Sequence, residues 1–155
     1  PGLKKIKTGE LVIIDCGARY KGYCADITRT KIIGRPKGWQ KEIYTIVRQA
    51  QLKAIEAIGP GVPASEVDRV ARGHIAEAGY GDYFGHGLGH GVGLVIHEAA
   101  SLSPHNHRDL QPGEIVTVEP GIYLPGQGGV RLEELVLVTD KGHKLLNRNR
   151  DFYEF

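Results

Sequence analysis

The run GELVIIDCGARYKGYCADITRT, residues 9–30, consists of two β-branched segments on either side of Tyr20, Lys21 and Gly22, and reads as an antiparallel hairpin. If its strands turn tightly about Lys21-Gly22, Asp15 lies opposite Thr28 and Asp26 lies opposite Gly17. Directly opposed residues share a face and side chains alternate along each strand, so both aspartates project to the same side. In this register Cys24 shares the face of Asp26 while Cys16 points the other way, and no disulfide between them is expected. Asp15 follows Ile13-Ile14 and Asp26 interrupts Cys24-Ala25-Asp26-Ile27, so both carboxylates sit in sequence that reads as buried. A buried acid is costly unless it is paired, hydrogen-bonded or bound to a metal.

The same pattern returns downstream. Gly9-Glu10-Leu11-Val12-Ile13-Ile14-Asp15 matches Gly113-Glu114-Ile115-Val116-Thr117-Val118-Glu119 position by position, with a carboxylate at the same offset. A second acid follows in each copy, Asp26 eleven positions after Asp15 and Glu133 fourteen after Glu119. This implies two related halves, each donating a hairpin that carries two acids. For a lone aspartate, a salt bridge to Arg19 or Arg29 would suffice; four acids gathered from paired strands call for divalent cations.

Between the copies, Ile43, Ile46, Val47, Ala50, Ala54 and Ile58 recur at helical spacing, predicting a helix over 40–58 that Gly59-Pro60-Gly61 ends. Val67, Val70, Ala71 and Ile75 predict a second helix over 64–78, with Gly79 as its C-terminal cap. Strands are expected over 114–123 and 130–139. The segment GHGLGHGVGLVIHE, residues 85–98, has too many glycines for a helix and is expected to be a loop or irregular strand that approaches a site closely. It contains neither HExxH nor GxGxxG, which excludes zincin and dinucleotide-binding readings. His74, His105, His107 and His143 lack acidic or cysteine companions at ligand spacing and read as surface histidines.

The chain's 155 residues, 41% apolar and 25% charged, are expected to form one globular domain. A net charge of +2 is too small to indicate nucleic acid or an anionic membrane as partner. Lys4, Lys5 and Lys7 read as a solvated edge. Cys16 and Cys24 alone make no disulfide framework, which points to the reducing cytoplasm. No apolar run approaches the roughly 18 residues of a membrane span.

The segments IDCGARYKGYCADITRT, HGLGHGVGLVIHE, VEPGIY and GGVRLEE, in this order and at these separations, resemble the four motif blocks of the pita-bread metallopeptidases, above all Xaa-Pro aminopeptidases and prolidases. The resemblance covers essentially the whole chain. It implies an α/β (α+β) pita-bread fold, a curved, mostly antiparallel sheet with helices on its outer face. It implies Asp15, Asp26, His90, Glu119 and Glu133 as metal ligands for two divalent ions, manganese, cobalt, zinc or iron, with Asp26 and Glu133 bridging and a hydroxide between the metals as nucleophile. Glu119 would also shuttle a proton, His97 would stabilise the tetrahedral intermediate, His86 would count with them among the catalytic residues, and His86 and Arg131 would line the substrate site.

The activity so implied is metal-dependent hydrolysis of an Xaa-Pro bond in a peptide or dipeptide substrate. Methionine aminopeptidase, which shares the five ligands, is the nearest alternative. A non-catalytic pita-bread binding or chaperone module, or a metal-free creatinase-like hydrolase, would have lost ligands that this chain keeps. Family members usually carry a further histidine before the first hairpin, and the second copy is preceded by two helices and a glycine-rich loop that the first lacks. Residues 1–155 are therefore expected to be the C-terminal portion of such a domain, poorly folded or inactive alone, with the upstream part of that domain and a second copy as its protein partners.

Overall fold

A computed structural model describes residues 2–155. Strands β1 (Leu11–Tyr20) and β2 (Tyr23–Ile32) form the first hairpin in the register expected, with Asp15 opposite Thr28 and Asp26 opposite Gly17. Lys21 and Gly22 both adopt positive φ, 49° and 91°, the backbone of a two-residue turn that matches the twist of its strands. Helices α1 (Gly38–Glu56) and α2 (Ala64–Glu77) follow, close to the predicted bounds, and Gly79 (φ 86°) closes α2 in the left-handed conformation. Gln40, 1% exposed, accepts from the Lys37 amide at 2.9 Å and donates to the Gly9 carbonyl at 2.9 Å, tying the start of α1 to the entry of β1.

A 3-10 turn at Gly81–Tyr83 leads to β3 (Gly89–Gly91) and β4 (Glu98–Leu102). The two long strands predicted downstream each break in two: β5 (Ile115–Val118) and β6 (Gly121–Leu124), then β7 (Gly128–Arg131) and β8 (Glu134–Thr139), before β9 (Gly142–Leu145). β5 pairs with β8 and β6 with β7 in one unbroken register, so these pieces are a single long hairpin interrupted at Glu119-Pro120 and Leu132-Glu133. Pro120 has no N–H to give to the ladder, which is a physical reason for the break. Both acids of the second copy stand at it.

The main sheet has the order β4-β3-β5-β8-β9, antiparallel throughout. Ile43, Val47, Ala50 and Ala54 of α1 and Val67, Ala71 and Ile75 of α2 pack with Val116, Val118, Val136 and Val138 of the sheet in one core. Residues after β9 fold back over β2 and α1, where the Phe152 ring lies between the guanidinium groups of Arg29 and Arg48 at 4.2 and 3.6 Å. Among the described residues no helix is long and apolar enough to cross a membrane.

The readings of individual side chains fare unevenly. Lys4, Lys5 and Lys7 are exposed, and both cysteines are free thiols. His105 and His107 are exposed as expected, whereas His74 and His143 are half-buried, His143 against the Ile58 carbonyl and His74 against Lys53. Asp15 departs from the burial expected of it: its side chain is 50% exposed and Ile14 beside it is 46% exposed. Among the described residues β1 pairs with β2 alone, so its apolar pattern makes a strand without a second layer over this stretch.

Candidate metal centre

The site forms where the second hairpin crosses the first. Thr28, fully buried on β2, donates its hydroxyl to Glu133 Oε2 at 2.7 Å, and the Glu133 amide donates to the Thr28 carbonyl at 3.0 Å. Arg29 clamps the same junction: Nη1 donates to the carbonyls of Thr28 and Glu133 at 2.9 and 2.6 Å, and Nη2 reaches Glu134 Oε1 at 2.9 Å. The Glu133 carboxylate is thereby carried next to Asp26, which shares the face of Thr28 on β2. Neither Arg19 nor Arg29 pairs with an aspartate of the first hairpin; Arg19 bonds instead to the carbonyls of Gly22 and Leu94.

His90 enters from β3. A Cβ on the preceding Gly89 would run into the Thr117 carbonyl, so glycine is what lets β3 lie this close to β5. The His90 amide donates to Thr117 Oγ1 at 2.9 Å, and that hydroxyl donates to Glu119 Oε1 at 2.9 Å. His90 Nδ1 faces the Gly91 carbonyl at 3.0 Å, which directs Nε2 inward, 3.2 Å from Glu119 Oε1 and 3.8 Å from Asp26 Oδ2. Ligand-type atoms of Asp26, His90 and Glu133 all lie within 4.8 Å of one another.

The charges of this cluster are out of balance. Burial first, then the neighbouring charge of Glu119, pushes the Glu133 carboxyl up to about 8, against the Thr28 hydrogen bond, which favours ionisation. Burial and the charge of Asp15 raise Asp26 as well. Burial by itself would lower His90, but its bonds to Glu119 and the Gly91 carbonyl lift it to about 9. Burial works to raise Glu119, and the bonds from His90 and Thr117 overcome it and hold the acid low. Glu133 Oε1 is buried without a hydrogen-bond partner. Three convergent donors, an orphaned carboxylate oxygen and a surplus of acid fit a divalent cation, whose arrival displaces protons from such groups.

A second network borders the first. Tyr123 Oη lies 2.9 Å from His86 Nε2 and 3.1 Å from Arg131 Nη1, and Arg131 Nη2 meets Asp15 Oδ2 at 2.6 Å. One phenol thus joins His86 to Arg131, and Arg131 carries the chain on to Asp15. Arg131 Nε is buried with no hydrogen bond and lies 3.9 Å from Glu119 Oε2. His97 is exposed, with its ring edge-on to His90 at 4.2 Å.

Asp15, Asp26, His90, His97, Glu119 and Glu133 line one open pocket. Of the five expected ligands, Asp26, His90 and Glu133 converge, Glu119 joins through His90, and Asp15 turns to Arg131. Sequence reasoning missed Thr28, Thr117 and Tyr123. The first two were discoverable, since each is a hydroxyl two residues from an acid in a strand and therefore on its face. Tyr123 was discoverable on the same ground, since it lies four residues beyond Glu119 and the register is unbroken across the strand break.

The profile of metallopeptidase family M24 matches residues 1–140. The Xaa-Pro dipeptidase of Pyrococcus horikoshii is 52% identical over 145 residues, which is 94% of this chain and 41% of that protein. Among solved structures, the prolidase from Pyrococcus furiosus aligns with a TM-score of 0.94 at 52% identity over 95% of this chain and 44% of its own. The X-Pro aminopeptidase from Thermotoga maritima aligns with a TM-score of 0.89 at 44% identity over 93% of this chain and 42% of its own. The chain spans less than half the length of these relatives, and over the matched residues its fold is the pita-bread arrangement.

Proposed function

This chain belongs to metallopeptidase family M24, and we propose that it supplies the catalytic residues of a metal-dependent exopeptidase that releases the residue preceding proline from a peptide or dipeptide. The observation that carries the reading is the convergence of Asp26, His90 and Glu133, with one Glu133 oxygen buried and unpartnered. With Glu119 and Asp15 added, the carboxylate and imidazole donors suit two ions of manganese, cobalt, zinc or iron. When bound, such a pair lowers the pKa of water and polarises the scissile carbonyl.

The chain's own residues then have distinct tasks. Thr28 and Arg29 hold Glu133, and Thr117 holds both the His90 peptide and Glu119 Oε1. Glu119 Oε2, the oxygen not engaged by Thr117 and His90, takes a proton and passes it to the leaving nitrogen; positioned groups of this kind contribute about 10²–10⁴-fold. His97, at the mouth of the pocket, donates to the developing oxyanion. A proline nitrogen has no hydrogen to donate, so its substrates are recognised by ring shape and by donors to nearby oxygens, and His86 and Arg131 are suitable donors. The same guanidinium serves a dipeptide carboxylate or a peptide carbonyl, and relatives named for each activity resemble the chain. Two free cysteines support a cytoplasmic site of action.

The test compares catalytic efficiency of the full-length protein on Ala-Pro, Ala-Pro-Ala and Met-Ala-Ser, before and after chelation. The proline substrates should be cleaved, Met-Ala-Ser left nearly untouched, and all activity lost with the metal. Preference for Met-Ala-Ser would favour the methionine aminopeptidase alternative, and full activity after complete metal removal would refute the mechanism.

A further inference from the structure

Gly85, Gly87 and Gly89 leave the backbone around His86 with almost no rigidity of its own, because glycine loses more conformational freedom on folding than any other residue. Something outside the segment has to hold it. On α2, Asp68 and Arg72 are one helical turn apart and meet as a two-pronged pair, Nε to Oδ2 at 2.8 Å and Nη2 to Oδ1 at 2.9 Å. Asp68 is 1% exposed. Arg72 Nη1 also donates to the Phe84 carbonyl at 2.9 Å, Arg72 Nη2 to the His86 carbonyl at 2.7 Å, and Asp68 Oδ1 accepts from the Leu88 amide at 3.0 Å.

These bonds fall on both sides of His86. The Phe84 ring lies 4.3 Å beneath the Arg72 guanidinium and meets the His86 imidazole edge-on at 5.0 Å, so the pair also props the ring from behind. The Leu88 carbonyl receives the Glu119 amide at 2.8 Å, which extends the hold to the peptide of the proton-carrying acid. Glu119 and His90 keep a separate anchor in Thr117, whereas the main chain from Phe84 to Leu88 takes three bonds from this one pair.

We propose that Asp68 and Arg72 are positioning residues for substrate recognition, an ion pair on α2 that sets the His86 imidazole against the proline substrate. The proposal rests on the function proposed above for the substrate it names. Loss of the pair frees the His86 segment and weakens substrate binding more than it slows the chemical step, because the groups nearest the chemistry are held elsewhere.

The experiment places Arg72→Ala, Arg72→Lys and Asp68→Asn in the full-length protein, each alone and combined with His86→Ala. KM and kcat on Ala-Pro, metal content, and hydrogen exchange at the Leu88 amide are measured. Arg72→Ala should raise KM about tenfold, the scale of one or two lost hydrogen bonds, with kcat changed less than about threefold. In the His86→Ala background it should change KM less than about twofold, because residues that act through one another are not additive. Exchange at Leu88 should speed up with metal content unchanged. Arg72→Lys, which lacks the fork, should recover only part of the loss, and it and Asp68→Asn carry the test if Arg72→Ala does not fold. An equal KM rise with and without His86, or unchanged exchange at Leu88, would overturn the proposal. If the wild-type protein cleaves no proline substrate, the function above fails and the positioning role for that substrate fails with it; exchange at Leu88 still reports whether the pair holds the segment.

Discussion

Val116, Thr117 and Val118, which lead to Glu119 in the second acid-bearing hairpin, are completely buried, whereas Ile14, which leads to Asp15 in the first, is 46% exposed. The two stretches carry nearly the same pattern of residues. What differs is the company. β5 lies in the middle of a five-stranded sheet between β3 and β8, and Gln51 of α1 reaches across to the Val118 carbonyl at 3.1 Å. β1 has β2 on one edge and, among the described residues, no strand on the other. An alternating pattern is enough to make a strand, but burial needs a layer packed over it.

The acids inherit that difference. Asp15, half in water, satisfies itself with Arg131, while Glu133, 2% exposed, keeps an oxygen without a partner and a carboxyl driven up to about 8 by burial and nearby charge. Water screens the first and nothing screens the second. The buried hairpin is therefore where a cation is needed most.

The comparison is sharpest when the two ends are mutated in parallel. Glu133→Gln should weaken metal binding by more than about 100-fold, beyond what the loss of an outer hydrogen-bond partner costs, and abolish the activity proposed above for the full-length protein. Asp15→Asn should give a smaller loss of bound metal. Metal analysis and calorimetric titration of both variants check this, and equal losses would show that exposure has no bearing on ligand strength. Next in size is packing: Val118→Ala, which empties fully buried space, should cost about 2 kcal/mol, and Ile14→Ala under about 0.5 kcal/mol, both by urea unfolding. If Ile14→Ala cost as much, β1 would be covered in solution and the contrast between the hairpins would disappear. The smallest effect concerns the thiols of the exposed hairpin. Cys16 should be alkylated faster than the half-buried Cys24, and mass spectrometry under non-reducing conditions should find no bridge between them; finding one would contradict the β1–β2 register.

Much of the site was legible before any coordinates. The register of the first hairpin follows from Lys21-Gly22 alone, since a two-residue turn with both φ values positive leaves one way to pair the flanking residues. The echo between residues 9–15 and 113–119 pointed to Asp15 and Glu119, with Asp26 and Glu133 following the two copies, and the glycine spacing around His90 pointed to a close approach. The breaks at Glu119 and Glu133 were not legible, because the residues on either side keep the alternation of unbroken strands and only the lone Pro120 hints at an interruption. Nor was the grip of Asp68 and Arg72 on the His86 segment, which joins a helix to a loop through backbone atoms that no side-chain pattern records.

The sequence by itself picked out candidate acids and a candidate histidine, the two helices and the register of the first hairpin, and which of its carboxylates share a face, because each of these depends on spacing along one chain. Only the tertiary structure decided which acid is left without a partner and which finds an arginine. It also decided that Tyr123 links His86 to Arg131, and that burial, rather than sequence pattern, divides two like hairpins. The reason is physical: the ionisation and pairing of a buried group are set by the dielectric and the charges within a few ångströms of it, and those neighbours come from parts of the chain far apart in sequence.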